Sequence, residues 1–122
     1  MAILMQTEME VPLPGISPQQ FVLTELTTNI RNMEIQSNSR DCENGKLLYL
    51  SAISQQQAWT FYIQKPFDDP EIKKGLEKWV TRHCQCAQNH LRYGLLSESE
   101  KHRCFTMIEN YVAFLEWLAK QP

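Results

Sequence analysis

The sequence predicts an all-α fold, a small bundle of about four helices with an extended N-terminal arm. Three observations lead there. Capping signals begin at Ser17, Asp69 and Ser97, apolar residues recur at three- and four-residue spacing behind each, and only a few residues join the last two helical stretches. The competing fold is α+β, which arises if residues 46–64 form a hairpin.

Residues 1–16, ending in Val11-Pro12-Leu13-Pro14-Gly15-Ile16, read as the arm, because the prolines remove backbone donors and resist helix. The remainder, 17–122, reads as a single helical domain. Ser17-Pro18-Gln19-Gln20 opens the first helix, with serine as cap, proline at the first helical position and glutamine three residues after the cap. Leu23, Leu26, Ile30 and Met33 give it one buried stripe, through about Met33.

The polar run from Ser37 to Gly45 is the clearest internal loop, and its Asn44-Gly45 pair favours positive φ. Residues 46–64 carry two patterns. The stretch from Ala52 to Ala58 suits a helix, whereas Trp59-Thr60-Phe61-Tyr62-Ile63 alternates as a strand does. A helix is the preferred assignment. Pro66 to Pro70 breaks the chain, and Asp69 with Pro70 starts the next helix, whose stripe of Ile72, Leu76, Trp79, Val80, His83, Ala87 and Leu91 runs to about Tyr93. Gly94 can close it. Ser97-Glu98-Ser99-Glu100 is a capping box opening a last helix that runs to about Lys120, and the short link makes the final two helices an antiparallel pair.

At 122 residues the chain fits one domain, large enough to bury roughly two-thirds of its unfolded surface. Hydrophobic residues at 43% and charged residues at 21% argue against general disorder, and no apolar stretch is long enough for a spanning helix. The first residues lack the basic and apolar regions of a secretory signal, so a cytoplasmic location and unpaired thiols are expected. The net charge of −2 hides an asymmetry: residues 1–71 hold nine acids and four bases, residues 72–103 seven bases and three acids.

His83, Cys84, Cys86, His90, His102 and Cys104 crowd one region, and imidazole and thiolate are ligands for zinc and similar metals. On a helix advancing about 100° per residue, His83, Cys86 and His90 share the inward stripe, and Cys104 is the best ligand from the following helix. His83 and His90 are about 10.5 Å apart along the axis, so one ion reaches only an adjacent pair easily. The competing reading makes these residues core thiols and buried imidazoles, with thiol or pH sensing as a further use.

The last helix has a wide apolar arc. Cys104, Ile108, Tyr111, Leu115 and Leu118 form its inward stripe, and Met107, Phe114, Trp117 and Leu118 form the candidate partner interface, for another protein or for self-association. The third helix carries an outward basic face of Lys74, Lys78, Arg82, Gln85, Asn89 and Arg92, the types that contact phosphates and base edges. The sequence contains no glycine-rich phosphate loop, no Gly-x-Ser-x-Gly elbow and no His-Glu-x-x-His. The expectation is a non-enzymatic protein–protein interaction module, a subunit, adaptor or regulator without cofactor. Nucleic-acid binding through the basic face and metal or thiol chemistry at the His/Cys cluster are the alternatives.

Overall fold

The computed structural model describes residues 16–39 and 41–122, so the expected N-terminal arm lies outside the described residues apart from Ile16. Four helices follow in order: α1 (Pro18–Asn38), α2 (Glu43–Gln64), α3 (Pro70–Tyr93) and α4 (Glu98–Ala119). No strand occurs among the described residues, which excludes the α+β arrangement.

The helix starts follow the sequence signals. Gln20 N donates to Ser17 Oγ at 3.1 Å, and Asp69 Oδ1 accepts from Glu71 N and Ile72 N at 3.1 and 3.2 Å. Ser97 and Glu100 satisfy each other's backbone, with Glu100 N to Ser97 Oγ at 3.2 Å and Ser97 N to Glu100 Oε1 at 3.1 Å. Each cap supplies partners to amides that a helix start leaves orphaned.

Two local expectations need correction, and the two-pattern stretch resolves to the preferred helix. The first helix continues past Met33 to Asn38. Asn44-Gly45 is no turn but the first turn of α2, which begins after Cys42. Residues 46–64 are wholly helical. Trp59, Tyr62 and Ile63, spaced three and four apart, all enter the core, so burial along one helical face outweighs the strand-like alternation.

Gly94 ends α3, but not through a left-handed conformation. Its φ is −85°, and a Cβ there would sit 2.6 Å from the His90 carbonyl oxygen, which accepts from Gly94 N at 2.9 Å. The close approach requires the missing side chain.

Backbone contacts are most extensive within two hairpins, α1 with α2 and α3 with α4. Weaker contacts join α1 to α4 and α2 to α3, with none across the diagonals. The helices therefore ring one core, in the up-and-down order that short connections impose. Tyr62, Tyr111, Phe114, Leu26, Leu76, Leu118, Val22 and Val80 are fully buried in it, and burying each large apolar side chain contributes about 1.5–3 kcal/mol. Trp59 and Trp79 pack with ring centroids 6.0 Å apart, and Gly75 lets the Trp59 ring lie against the α3 backbone.

The fully buried residues come from the first half of α1, the second half of α2, the first half of α3 and the second half of α4, with Cys84 and Ala87 carrying the α3 contribution past its midpoint. The bundle is thus tightly packed at the end holding the α2–α3 loop. There Tyr62 donates to the Pro122 carbonyl at 2.6 Å and Lys73 Nζ to the Gln121 carbonyl at 2.7 Å. At the opposite end Ile35, Leu48, Tyr93, Leu95 and Phe105 remain exposed.

Candidate functional site

Phe114 and Leu118, expected at a partner surface, lie at 0% and 1% exposure in the chain's own core. Met107 and Trp117 are half-buried against that same core, with Trp117 tilted on Phe114 at 5.4 Å between centroids. The wide apolar arc of α4 is therefore consumed by the bundle. Facing both α3 and α1 requires a wider arc than a single seam.

The His/Cys cluster is turned from its expected phase. Leu76, Val80, Cys84 and Ala87 are the buried positions of α3, so the inward thiol is Cys84, whereas Cys86 and His90 are exposed. His83 and Cys104 are half-buried. The set His83, Cys86, His90 and Cys104 is not brought together: among the described residues no group of three or more His, Cys, Asp or Glu could hold a metal ion. Burial raises the Cys84 thiol above its ordinary range, which keeps it protonated and a poor nucleophile.

All six residues of the expected basic face, Lys74, Lys78, Arg82, Gln85, Asn89 and Arg92, are exposed along α3. The Arg92 guanidinium lies 5.9 Å from the Tyr93 ring centroid, a cation–π contact at the end of the helix. Exposed Glu71 and Glu77 on the same helix temper the positive field.

Two features had no place in the sequence expectations. The first is a cleft of about 370 Å³ between three helices, lined by Thr24, Glu25, Thr28, Asn29 and Asn32 of α1, Trp79 and His83 of α3, and Arg103 and Met107 of α4. Tyr111 donates a 2.6 Å hydrogen bond to Glu25 Oε2, while Glu25 Oε1 is buried without a hydrogen-bond partner. Burial pushes the Glu25 carboxyl up to about 7, the Tyr111 hydrogen bond offsetting part of the rise. Burial and then the Glu25 carboxylate push the Tyr111 phenol up in turn. The His83 ring packs edge-on against Trp79 at 4.1 Å, and burial followed by neighbouring Arg82 lowers its basicity. Chemically, the cleft's lining combines a carboxyl whose proton burial holds towards neutrality with an imidazole of lowered basicity.

The second feature is the outward face of α2. From Leu47 to Gln64 the helix contains no Asp, Glu, Lys, Arg or His. Its inward side supplies Ile53, Gln56, Trp59, Tyr62 and Ile63, with Gln56 Oε1 accepting from Asn29 Nδ2 at 3.0 Å. Opposite that arc, Leu47 is 60%, Leu50 54% and Phe61 67% exposed, with exposed Ser54 and half-buried Ala58 between them. Charge depletion was legible in the sequence. Which apolar residues would be surplus to the core was not, because the inward arc is fixed by α1 and α3.

Among the described residues no helix is long and apolar enough to cross a membrane. Comparison with protein-family models, with curated proteins and with solved structures finds no match.

Proposed function

We propose that this chain is a non-enzymatic protein–protein interaction module whose contact surface is the outward face of α2, not the last helix. The observation that carries the reading is the coincidence on the outward face of α2 of exposed Leu47, Leu50 and Phe61 with a stretch, Leu47 to Gln64, that holds no charged residue. Single exposed apolar residues are ordinary, but a charge-free, partly aromatic face matches the centre of a protein interface, where charged residues are depleted. The adjoining helices carry exposed Arg31 and Glu34 on α1 and Lys74 and Lys78 on α3, as the polar rim of such a surface requires.

Photo-crosslinking in the native cell tests this. A benzophenone side chain at Leu50 or Phe61 yields a discrete protein adduct, whereas the same group at Arg82 does not. Equal adduct patterns at all three positions, or none, refute the reading.

Nucleic-acid binding is a second reading, supported by the six exposed residues of the α3 basic face. It requires affinity that falls steeply with salt and is lost in Arg82→Glu. Absence of binding at low salt eliminates it.

A further inference from the structure

We infer that the partner of the α2 face is a second copy of this chain, docked antiparallel about a two-fold axis at Ser54. The inference rests on the reading of α2 as the contact surface and names its occupant.

The outward stripe is Leu47, Leu50, Ser54, Ala58 and Phe61, at intervals of three, four, four and three. On a helix advancing about 100° per residue, these five fall within about 80° of one another, opposite the buried arc. The spacing is palindromic. When α2 packs antiparallel on its own copy with Ser54 at the centre, Leu47 meets Phe61 of the partner subunit. Leu50 then meets Ala58 of the partner subunit, and Ser54 meets Ser54 of the partner subunit. Large residues oppose aromatic or small ones, and the smallest polar residue lies where the helices cross, as interaxial distances of about 8 Å demand. Flanking Ser51 and Gln57, both exposed, border the stripe on its two sides. Hydroxyl and amide each donate and accept, so they rim the seam without charge.

The lack of charge gains a specific reason. A two-fold interface brings each surface patch against itself, so ionised groups near the axis face their own sign. A face built for a differently charged partner has no such constraint. The stripe is about 21 Å long at a rise of about 1.5 Å per residue. One helix-on-helix contact of that length belongs at the small end of specific interfaces, so the dimer dissociates in the micromolar range.

Cysteine crosslinking and sedimentation of the full chain test the arrangement, with Cys42→Ser and Cys86→Ser removing the exposed native thiols. At about 100 µM, Ser54→Cys forms a disulfide dimer under mild oxidation, because only a residue on the axis lies within disulfide range of its own counterpart. Leu47→Cys and Phe61→Cys each fail to crosslink alone but crosslink when mixed. Ser54→Arg raises the dimer dissociation constant at least about tenfold with unchanged helicity, since it sets two guanidinium groups against each other.

Self-crosslinking of Leu47→Cys, or a wild-type dimer in which Ser54→Cys does not link, overturns the antiparallel docking. A chain that stays monomeric while a photo-crosslinker at Phe61 captures a different protein overturns the second-copy inference and leaves the α2 surface standing. Self-association unchanged by both Ser54→Arg and Leu50→Arg overturns the inference, and the same result with no adduct from a photo-crosslinker at Phe61 overturns the α2 reading with it.

Discussion

Replacing Glu25 by glutamine isolates the proton held in the cleft. The amide keeps the shape of the carboxyl and its oxygen still accepts from Tyr111, so the 2.6 Å bond is retained while the ionisation is removed. Burial raises Glu25 from 4.5 to about 7 in the folded chain. Between those two pH values the folded state therefore binds more protons than the unfolded state, and stability falls as pH rises through the window. At about 1.36 kcal/mol per pH unit, the loss between pH 4.5 and pH 7 is about 3 kcal/mol. Glu25→Gln does not incur it. The variant is thus more stable than the parent by up to about 3 kcal/mol at pH 8, and the gap closes on acidification to pH 4.5. His83, whose basicity is lowered, acts in the opposite sense below its ordinary 6.5, but it is present in both chains and largely cancels in the difference. Urea unfolding at a series of pH values reads the gap directly. A difference between the chains that does not change with pH, or one in which the parent gains on the variant as pH rises from 4.5 to 7, refutes the buried-carboxyl account.

Other consequences follow from burial and close contact. Phe114→Ala destabilises the fold by about 3–5 kcal/mol in thermal or urea unfolding, as expected of a fully buried aromatic and not of a partner contact. Gly94→Ala costs about 1–3 kcal/mol, because its methyl group would meet the His90 carbonyl at 2.6 Å, and differential scanning calorimetry detects the lowered melting temperature. Under native conditions a thiol reagent followed by mass spectrometry modifies Cys86 readily and Cys84 only on unfolding, in line with their exposed and buried positions.

The parts of this architecture written in local chemistry were legible in the sequence. Ser17-Pro18, Asp69-Pro70 and Ser97 with Glu100 announce helix starts through short-range hydrogen bonds, and each is found where its residues place it. The phase of each helix about its axis was harder, because neighbouring helices determine it. Cys84, outside the expected stripe, joins Val80 on the inward face of α3 only once α2 and α4 are in place, and that rotation takes Cys86 and His90 outward. The same blindness misread α4: Phe114 and Leu118 have the spacing of an interface and are buried by their own chain. In α1, Phe21 and Val22 enter the core although the three-and-four count began at Leu23.

The cleft had no sequence signal at all. Glu25 and Tyr111 stand in different helices far apart in the chain, and only folding makes one the hydrogen-bond partner of the other. The α2 face is the intermediate case. Its want of charge is visible in the bare sequence, but its meaning depends on knowing that Trp59, Tyr62 and Ile63 already satisfy the core, which leaves Leu47, Leu50 and Phe61 to the outside.

The central claim, that the outward face of α2 is covered by protein when the molecule is at work, is tested most directly by hydroxyl-radical footprinting in the native cell against the dilute purified chain. Phe61 and Leu50 should lose most of their reactivity in the cell, while the comparably exposed Tyr93 and Leu95 at the loop end keep theirs. Phe61 and Leu50 as reactive in the cell as in the isolated chain would contradict the account.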